Sequence, residues 1–218
     1  METNYDAVIL AAGDYPTHPR ALNMLAHAPL LVCCDGAAQA LIDHGVTPHA
    51  IVGDGDSLPL SIRSQYSHLI HIVTEQEDND LTKATRFVIA HAQQSGAHAP
   101  LKIAFLGCTG RREDHTLGNI ALMARYHRNF HILPILYTDY GFFTPALGTH
   151  SFASFPRQQV SIFNISANTL TSEGLRWSAY PYTQLWQGTL NESIGHSFTI
   201  HADGEYLIFQ TYEPKLEG

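Results

Sequence analysis

Short apolar runs that end in small or acidic residues recur along the first two thirds of the chain. Runs of four to eight apolar residues, separated by segments with helical spacing, are typical of buried parallel strands. The runs cover residues 7–12, 30–34, 50–52, 69–73, 101–106 and 130–137, and the helical segments cover 36–44, 58–66, 80–94 and 116–126. This alternation predicts an α/β fold with a mostly parallel sheet, flanking helices and right-handed crossovers.

The helix predicted from Asp80 has the clearest signals. Asp80 is a suitable N-cap, Leu81, Ala84 and Val88 fall on one face, and Gly96 follows as a stop signal.

The pattern changes near residue 140, where alternation of apolar and polar residues begins to replace the continuous apolar runs. Residues 160–165 alternate partly and residues 197–201 alternate, and the turn at 202–204 predicts that 205–210 returns as the hairpin partner of 197–201. We therefore expect a smaller C-terminal antiparallel β-sandwich or barrel. The predicted domains are 1–140 and 141–218, with the segment 141–148 as the connection between them.

Composition narrows the range of functions. The formal charge of −8 comes without a basic patch, which argues against nucleic acid as a partner. No apolar stretch reaches the roughly 20 residues of a membrane span, and the N-terminus does not resemble a signal peptide. The cysteines are Cys33, Cys34 and Cys108, an odd number with two adjacent, so we expect free thiols and a cytoplasmic location.

Acidic clusters follow four of the predicted strands. Because ligands bind beyond the carboxyl ends of parallel strands, these carboxylates are expected to meet at one edge of the sheet. Aspartates gathered there would repel one another unless a cation joined them. The arrangement predicts a divalent metal site with a phosphate ligand. The clusters begin at Asp35, Gly53, Gln76 and Gly107.

The second and third clusters each allow a structural interpretation as well. Asp54 and Asp56 are two residues apart, so in an extended segment both carboxylates could face one cation, whereas a polar turn before a helix is the alternative. Lys83 could bind phosphate, or could simply pair with Asp80 across one helical turn. Both interpretations stay open at this point.

The fourth cluster has features of a phosphate site. Gly107 to Gly110, including Thr109, could form a phosphate-binding turn before a helix. Arg112 could hold phosphate as a fork and Asp114 could join the metal shell. A helix cap followed by a solvated charge run is the alternative.

Taken in order, these clusters resemble the thiamine pyrophosphokinase family, and the likeness continues past residue 140. In the second part, residues 173–177 and 189–192 resemble two further segments of that family. The residues that carry the resemblance are Cys34-Asp35-Gly36-Ala37-Ala38, Pro48-His49-Ala50-Ile51-Val52-Gly53-Asp54-Gly55-Asp56-Ser57, Gln76-Glu77-Asp78-Asn79-Asp80-Leu81-Thr82-Lys83-Ala84, Gly107-Cys108-Thr109-Gly110-Arg111-Arg112-Glu113-Asp114-His115, Glu173-Gly174-Leu175-Arg176-Trp177 and Thr189-Leu190-Asn191-Glu192.

The resemblance implies transfer of pyrophosphate from ATP to the thiamine hydroxyl with Mg²⁺, giving thiamine diphosphate and AMP, in a homodimer. Residues 1–140 would bind ATP and metal, and residues 141–218 would bind thiamine and dimerise. The implied metal and catalytic residues are Asp54, Asp56 and Asp80, with Asp114 as a further catalytic residue. The implied nucleotide-binding residues are Asp35, Gly53, Lys83, Thr109, Arg112 and His115, and the implied thiamine-binding residues are Gln76, Trp177 and Asn191.

Several positions depart from the family pattern without removing an acidic residue. The family usually has glycine at Ala37 and Arg111, an aromatic residue at Gly55, threonine at Asn79 and serine at Leu190. A tryptophan in the core of the β-rich part is an equally open interpretation of Trp177.

Two rival functions also remain open. Asp54-Gly55-Asp56 resembles the nucleophile motif of dehalogenase-type phosphatases, although that motif normally follows the first strand and here follows the third. A non-catalytic nucleotide- or thiamine-binding module is the other rival, and the intact carboxylates argue against it.

Overall fold

The computed structural model describes residues 5–96 and 100–215, so the outer ends of the two predicted domains lie outside the described residues. The strands are β1 Ala7–Leu10, β2 Leu31–Cys34, β3 Ala50–Gly53, β4 Ile70–Ile72, β5 Lys102–Leu106, β6 Leu133–Tyr137, β7 Gly141–Leu147, β8 His150–Ala153, β9 Gln158–Asn164, β10 Leu170–Glu173, β11 Asn191–Glu192, β12 Ser197–Ala202 and β13 Glu205–Pro214. The helices are α1 Pro19–His27, α2 Ala38–Asp43, α3 Leu60–Gln65, α4 Asp80–Gln94 and α5 Glu113–Phe130, with 3₁₀ turns at Asp35–Ala37 and Ser67–Leu69.

Ten strands form one continuous sheet in the order β11-β9-β13-β7-β6-β5-β1-β2-β3-β4. From β6 to β4 all neighbours are parallel, as the apolar runs predicted. From β6 to β11 all neighbours are antiparallel. The predicted boundary at residue 140 therefore falls between two strands that pair in the same sheet.

Helices cover both faces of the parallel half. One core cluster joins the sheet to α4 and α5 through residues such as Val88 and Met123. The other joins it to α1, α2 and α3 through residues such as Leu25, Leu41 and Ile62. This arrangement leaves the carboxyl ends of the strands as the edge where loops gather. No helix within residues 5–96 and 100–215 has the length and apolar character that a membrane crossing requires.

A second sheet, in the order β10-β12-β8, packs on the antiparallel half. Side chains from both sheets, including Val160, Ile162, Phe198, Ile200 and Tyr206, form a third core. The smaller antiparallel sheet predicted for the second part is therefore present, and it is one layer of a sandwich whose other layer belongs to the large sheet.

Two local predictions for the second part are wrong. The segment 141–148 is not a connection, because it contains β7, which pairs with β6 on one side and β13 on the other. The segments around Ala202-Asp203-Gly204 do not form a hairpin. β12 pairs with β8 and β10, whereas β13 pairs with β7 and β9, so the turn carries the chain from one sheet to the other.

Candidate functional site

A cavity of about 390 Å³ lies at the carboxyl ends of the parallel strands. In the sheet order, β5 and β2 flank β1 on opposite sides, which is the point where ligands bind in open α/β sheets. Five residues predicted from the sequence line this cavity, namely Asp35, Asp80, Thr109, Arg112 and His115. These five residues come from three of the four predicted clusters, and Ser57 of the remaining cluster also lines the cavity, so the clusters do meet at one edge of the sheet.

Asp35 is the most enclosed carboxylate at this edge, with 3% of its surface exposed. It accepts hydrogen bonds from the backbone N–H groups of Gly36, at 2.6 Å, and Gly55, at 3.0 Å. Burial, and then the charge of Asp80, raise the pKa of Asp35 above its ordinary value. A Cβ on Gly53 would lie 2.5 Å from the Asp35 Cγ, so Gly53 provides the space that this carboxylate needs.

Asp54 and Asp56 lie in a turn, which is the second of the two interpretations that the sequence left open. Gly55 has a φ of +86°, and the Asp56 N–H donates to Asp54 Oδ1 at 3.0 Å. The Arg63 guanidinium donates to the carbonyl oxygens of Gly55 and Leu58 and holds the turn. Because the chain reverses here, the i, i+2 argument for parallel carboxylates does not hold. Asp54 follows the end of β3, and Asp56 is exposed further along the turn.

Gln76 reaches this turn from the loop after β4. Its Nε2 lies 3.5 Å from Asp54 Oδ2. The Asp56 N–H and then Gln76 lower the pKa of Asp54 below its ordinary value, so this carboxylate stays ionised to lower pH. The predicted substrate residue Gln76 is therefore placed beside a predicted metal ligand.

The start of α4 differs in detail from the prediction. Asn79, not Asp80, is the N-cap, since its Oδ1 accepts from the Thr82 N–H at 2.9 Å. This leaves the Asp80 carboxylate free to face the cavity. Lys83 is 4% exposed and its Nζ lies 3.3 Å from Asp80 Oδ1, which is the ion pair of the structural interpretation.

Asp78, in the same acidic run, has a structural role. Its carboxylate pairs with Arg86 at 2.6 Å and with Arg125 at 3.2 Å, and it therefore ties α4 to α5.

The loop between β5 and α5 forms one wall of the cavity. Gly107 and Gly110 have φ values of +63° and +87°, so the chain turns sharply twice before α5 begins. Arg112 and Asp114 form two hydrogen bonds, at 2.6 and 3.1 Å, on the exposed side of this wall. That contact lowers the pKa of Asp114 below its ordinary value and raises the pKa of Arg112.

The structure also brings in residues that the sequence reasoning did not single out. Gly13 and Asp14 follow β1, and their N–H groups donate to the carbonyls of Gly107, at 2.7 Å, and Thr109, at 2.9 Å. Asn119 on α5 donates to the Cys108 carbonyl at 2.9 Å and lines the cavity. The signal for Gly13 and Asp14 was present, because they too follow an apolar run and end it with an acidic residue.

Two of the three cysteines, Cys34 and Cys108, line the cavity, and Cys33 precedes Cys34 in β2. Cys33, Cys34 and Cys108 are buried and free. Burial raises the pKa of each thiol, to about 12 for Cys33, so all three are neutral packing residues as expected.

The donor set at this edge fits Mg²⁺ in one particular way. In the part of the chain that the structure describes, no three His, Cys, Asp or Glu side chains are grouped closely enough to hold a metal by themselves. Mg²⁺ is usually bound by one or two carboxylates together with substrate phosphates and water. Asp35 and Asp80 line the same cavity, and burial followed by the charge of Asp80 raises the pKa of Asp35. Two carboxylates in one cavity suit a metal that arrives with phosphate.

The predicted thiamine residues Trp177 and Asn191 lie together, but in a different place. The Trp177 N–H donates to Asn191 Oδ1 at 3.2 Å, and Asn191 Nδ2 donates to the Trp177 carbonyl at 2.7 Å. Asn191 is buried, whereas the Trp177 side chain is 49% exposed, which contradicts a core tryptophan. Both line a cavity of about 420 Å³ with Tyr180 and Tyr182.

This second cavity is far from the first within one chain. Asn191 begins β11 at one end of the large sheet, and Asp35 follows β2, seven strand positions away. At about 4.8 Å per strand, the separation is roughly 34 Å along the sheet.

Comparisons with known proteins agree with both halves of this arrangement. Residues 21–134 match the family model described as "Thiamin pyrophosphokinase, catalytic domain". Residues 141–209 match the model described as "Thiamin pyrophosphokinase, substrate-binding domain". Together, the two matches cover most of the chain.

Individual relatives are more distant. The chain is 26% identical over 189 residues to thiamine pyrophosphokinase 1 of Oryza sativa subsp. japonica, covering 76% of this chain and 71% of that protein. Its fold is similar to solved thiamin pyrophosphokinase structures from Candida albicans and Bacillus subtilis. The first has a TM-score of 0.79 at 16% identity and covers 95% of this chain and 90% of that one. The second has a TM-score of 0.74 at 20% identity and covers 94% and 98%. Because one family model alone spans more than half of the chain and the other matches most of the remainder, the chain belongs to the thiamin pyrophosphokinase family.

Proposed function

We propose that this protein transfers pyrophosphate from ATP to the hydroxyl group of thiamine, releasing AMP. The observation that carries the proposal is the cavity at the carboxyl ends of the strands, where Asp35 and Asp80 face the loop that holds Thr109 and Arg112. Carboxylates opposite a glycine-rich turn suit a phosphate chain that carries its own cation. In this proposal, residues 1–140 bind ATP and metal, and residues 141–218 bind thiamine.

The reaction requires positioning and charge neutralisation more than covalent help from the protein. The thiamine hydroxyl oxygen forms a bond to the β-phosphorus of ATP. The bond from that phosphorus to the oxygen shared with the α-phosphate breaks, and AMP leaves with the electron pair. The hydroxyl proton passes to a carboxylate at the strand ends. Asp54, with its lowered pKa, is ionised and able to bind a cation at neutral pH.

Mg²⁺ is the proposed cofactor, held by one or two of the carboxylates of Asp54, Asp56 and Asp80 together with substrate phosphate and water. When bound, it neutralises phosphate charge and favours attack on phosphorus. The protein residues keep these carboxylates in place: Gln76 and the Asp56 N–H fix Asp54, and Lys83 fixes Asp80.

Thiamine recognition is assigned to the second cavity and to Gln76. The Trp177 ring is half exposed and lies with two tyrosines, which suits a cationic ring, and Asn191 fixes the Trp177 backbone. The Arg176 guanidinium lies 5.1 Å from the centre of the Trp177 ring, so thiamine would bind the ring beside it or in its place. The hydroxyl must come within about 3–3.5 Å of the β-phosphorus. Since roughly 34 Å along the sheet separates the two cavities, a single thiamine cannot span them in one chain. We therefore propose a homodimer in which each site combines the two cavities from different chains.

An apolar groove supports this proposal of a second copy. It has a volume of about 370 Å³ and lies between α5 and the antiparallel half of the large sheet. Leu117 and Leu185, both strongly exposed, lie along it. Leu117 is two residues beyond His115, which lines the cavity of about 390 Å³ at the strand ends, here called the nucleotide cavity. A chain seated on this groove would therefore lie next to that cavity. Burial of such apolar surface favours association.

The two rival functions fit the structure less well. A dehalogenase-type phosphatase places its aspartate pair after the first strand, whereas Asp54 follows β3, two positions from β1 in the sheet. A non-catalytic module would not need an intact carboxylate in every cluster, and Asp35, Asp54, Asp80 and Asp114 are all present. For location, the three buried free thiols support the proposal of a reducing, cytoplasmic compartment.

The direct test is AMP release from ATP with excess Mg²⁺, measured with and without thiamine. We expect AMP and thiamine diphosphate in equal amounts, and only when thiamine is present. Release of inorganic phosphate without thiamine would instead favour a phosphatase, and ATP binding without turnover would favour a sensing module.

The shared site is tested by mixing two inactive chains. One carries Asp54→Asn, and the other carries both Trp177→Ala and Asn191→Ala. After subunit exchange, shared sites should recover up to about a quarter of the wild-type activity, by the statistics of symmetric pairing. No recovery, with exchange verified and both variants folded, would show that each chain builds its own site.

A further inference from the structure

Two adjacent arginines, Arg111 and Arg112, line the nucleotide cavity, but only Arg112 is hydrogen-bonded to a carboxylate among the described residues. The Arg112 Nη2 and Nε atoms lie 2.6 and 3.1 Å from the two carboxylate oxygens of Asp114. Arg111 Nε lies 4.0 Å from Asp14 Oδ1, which is beyond hydrogen-bonding distance. Within the described residues, this long contact is the ion pair that Arg111 makes. Its guanidinium therefore has donors to offer to a ligand.

The backbone of Arg111 is strained. Its φ is +29°, in the region that favours glycine, and it follows Gly110 at +87°. The Asp14 side chain lies where a Cβ of Gly110 would be, so the loop is packed closely against the segment after β1. The Gly13 and Asp14 N–H groups also fix this loop through Gly107 and Thr109. Strain that is maintained by surrounding contacts, at the wall of a cavity, points to a ligand-binding role.

The charge balance of the cavity gives Arg111 a purpose. Asp35 and Asp80 contribute negative charge to the lining. Lys83 is buried and paired with Asp80. The chain as a whole carries −8, so it provides no long-range attraction for an anion. A polyphosphate therefore depends on the local cations, and of the two lining arginines Arg111 has the weaker carboxylate contact.

We propose that Arg111 binds the phosphate chain of the nucleotide, in addition to Arg112, and that Asp14 holds Arg111 at the rim until phosphate replaces it. The proposal rests on the proposed function in that ATP is taken as the ligand. A phosphate oxygen is a better partner than a carboxylate 4.0 Å away, because a guanidinium can form two parallel hydrogen bonds to it. Asp14 and Arg111 should thus act on nucleotide affinity in opposite directions.

The experiment measures equilibrium binding of ATP and AMP, with excess Mg²⁺ and no thiamine, to the full-length protein. Arg111→Gln should weaken ATP binding about tenfold and AMP binding less than about twofold, because only the longer phosphate chain gains the contact. Arg111→Lys, which keeps the charge and loses the fork, should fall between. Asp14→Asn should tighten ATP binding by about two- to threefold, and this gain should disappear in the Arg111→Gln background.

Arg111→Gly separates a ligand role from a structural one. Glycine relieves the strained φ, so the melting temperature should stay level or rise, while ATP affinity should fall as in Arg111→Gln. ATP binding that is the same in wild type and Arg111→Gln would overturn the proposal and leave the proposed function standing. Equal losses for ATP and AMP would also overturn it. A wild-type protein that does not bind ATP would overturn both.

Discussion

One buried polar pair in the antiparallel half of the large sheet and one buried carboxylate in the parallel half show two different uses of such groups. In the antiparallel half, Gln210 Nε2 donates to Gln158 Oε1 at 2.9 Å, and Gln158 Nε2 donates to the Thr211 carbonyl at 2.6 Å. In the parallel half, Asp35 is equally buried but faces a cavity and another carboxylate, and its pKa is raised. A buried polar group whose hydrogen bonds are complete stabilises the fold. A buried carboxylate whose pKa is raised by burial and by a neighbouring carboxylate instead indicates a functional site.

The most severe way to test this comparison is to separate the halves. Removing residues 141–218 should abolish cooperative folding, because Phe143 and Leu207 lie in the same core cluster as Met123 and Leu136. The cut would also expose the edge of β6, which normally pairs with β7. Thermal unfolding followed by circular dichroism is the measurement.

A matched control is co-expression of residues 1–140 with residues 141–218. The two fragments should associate, because the β6–β7 ladder and the shared core would form between them. A stable, monomeric 1–140 fragment that binds ATP would show that the halves are energetically independent.

A smaller disruption compares one aspartate from each half. Asp54→Asn should reduce kcat by at least about 10²-fold with little change in melting temperature, by analogy with loss of one electrostatic stabiliser. Asp203 Oδ1 accepts from the N–H groups of Asn168, at 2.7 Å, and Thr169, at 2.9 Å, in the turn between the two sheets. Asp203→Asn should lower the melting temperature and leave kcat unchanged.

These two substitutions remove the same charge from each half, so each serves as the other's control. Near-normal turnover by Asp54→Asn at saturating Mg²⁺ would contradict the assignment of this carboxylate to the metal. A loss of turnover in folded Asp203→Asn would contradict the division of roles between the halves.

The smallest expected effect is a shift in pH dependence. Gln76 helps to lower the pKa of Asp54, so Gln76→Leu should raise that pKa toward its ordinary value. Asp54 would then become protonated at a higher pH than in the wild type. The acid limb of the kcat/KM profile should therefore shift toward higher pH by less than about one pH unit. Thr74→Val, in the same loop, is the control. A shift toward lower pH, or none, would show that Gln76 does not tune this carboxylate.

The sequence predicted the parallel half well, because its signals are local and repeated. Each apolar run became a strand, and α4 spans the residues that its spacing predicted, Asp80–Gln94. The meeting of Asp35, Asp80 and Arg112 at one cavity followed from topology, since parallel strands end at the same edge. The separate helix α1 was missed: it is nine residues long, and its buried positions Ala21, Met24 and Leu25 form too short a pattern to stand out.

The antiparallel half was harder to predict, because its pairings are not local. A turn at 202–204 looks the same whether its flanking strands pair with each other or join different sheets, as β12 and β13 do. The strand β7 contains Pro145, and proline is uncommon inside strands. The strand accommodates it because β6 pairs only with Phe142 and Phe143, so β7 lacks that neighbour at Pro145. For Asp54 and Asp56 the sequence left a turn and an extended segment equally open, because the positive φ of Gly55 that decides between them is not visible in composition alone.

The unbroken sheet also has a consequence for how the activity of the protein is controlled. Backbone hydrogen bonds join neighbouring strands from β11 to β4, so the ladder acts as a fixed spacer between the nucleotide cavity and the Trp177 cavity. Closure of two lobes around a substrate is not available to such a frame. If the site is shared as proposed, the concentration of the protein itself controls its activity. Dilution would dissociate the dimer and divide every active site while each chain stayed folded, so activity per chain would decrease as the protein concentration decreases.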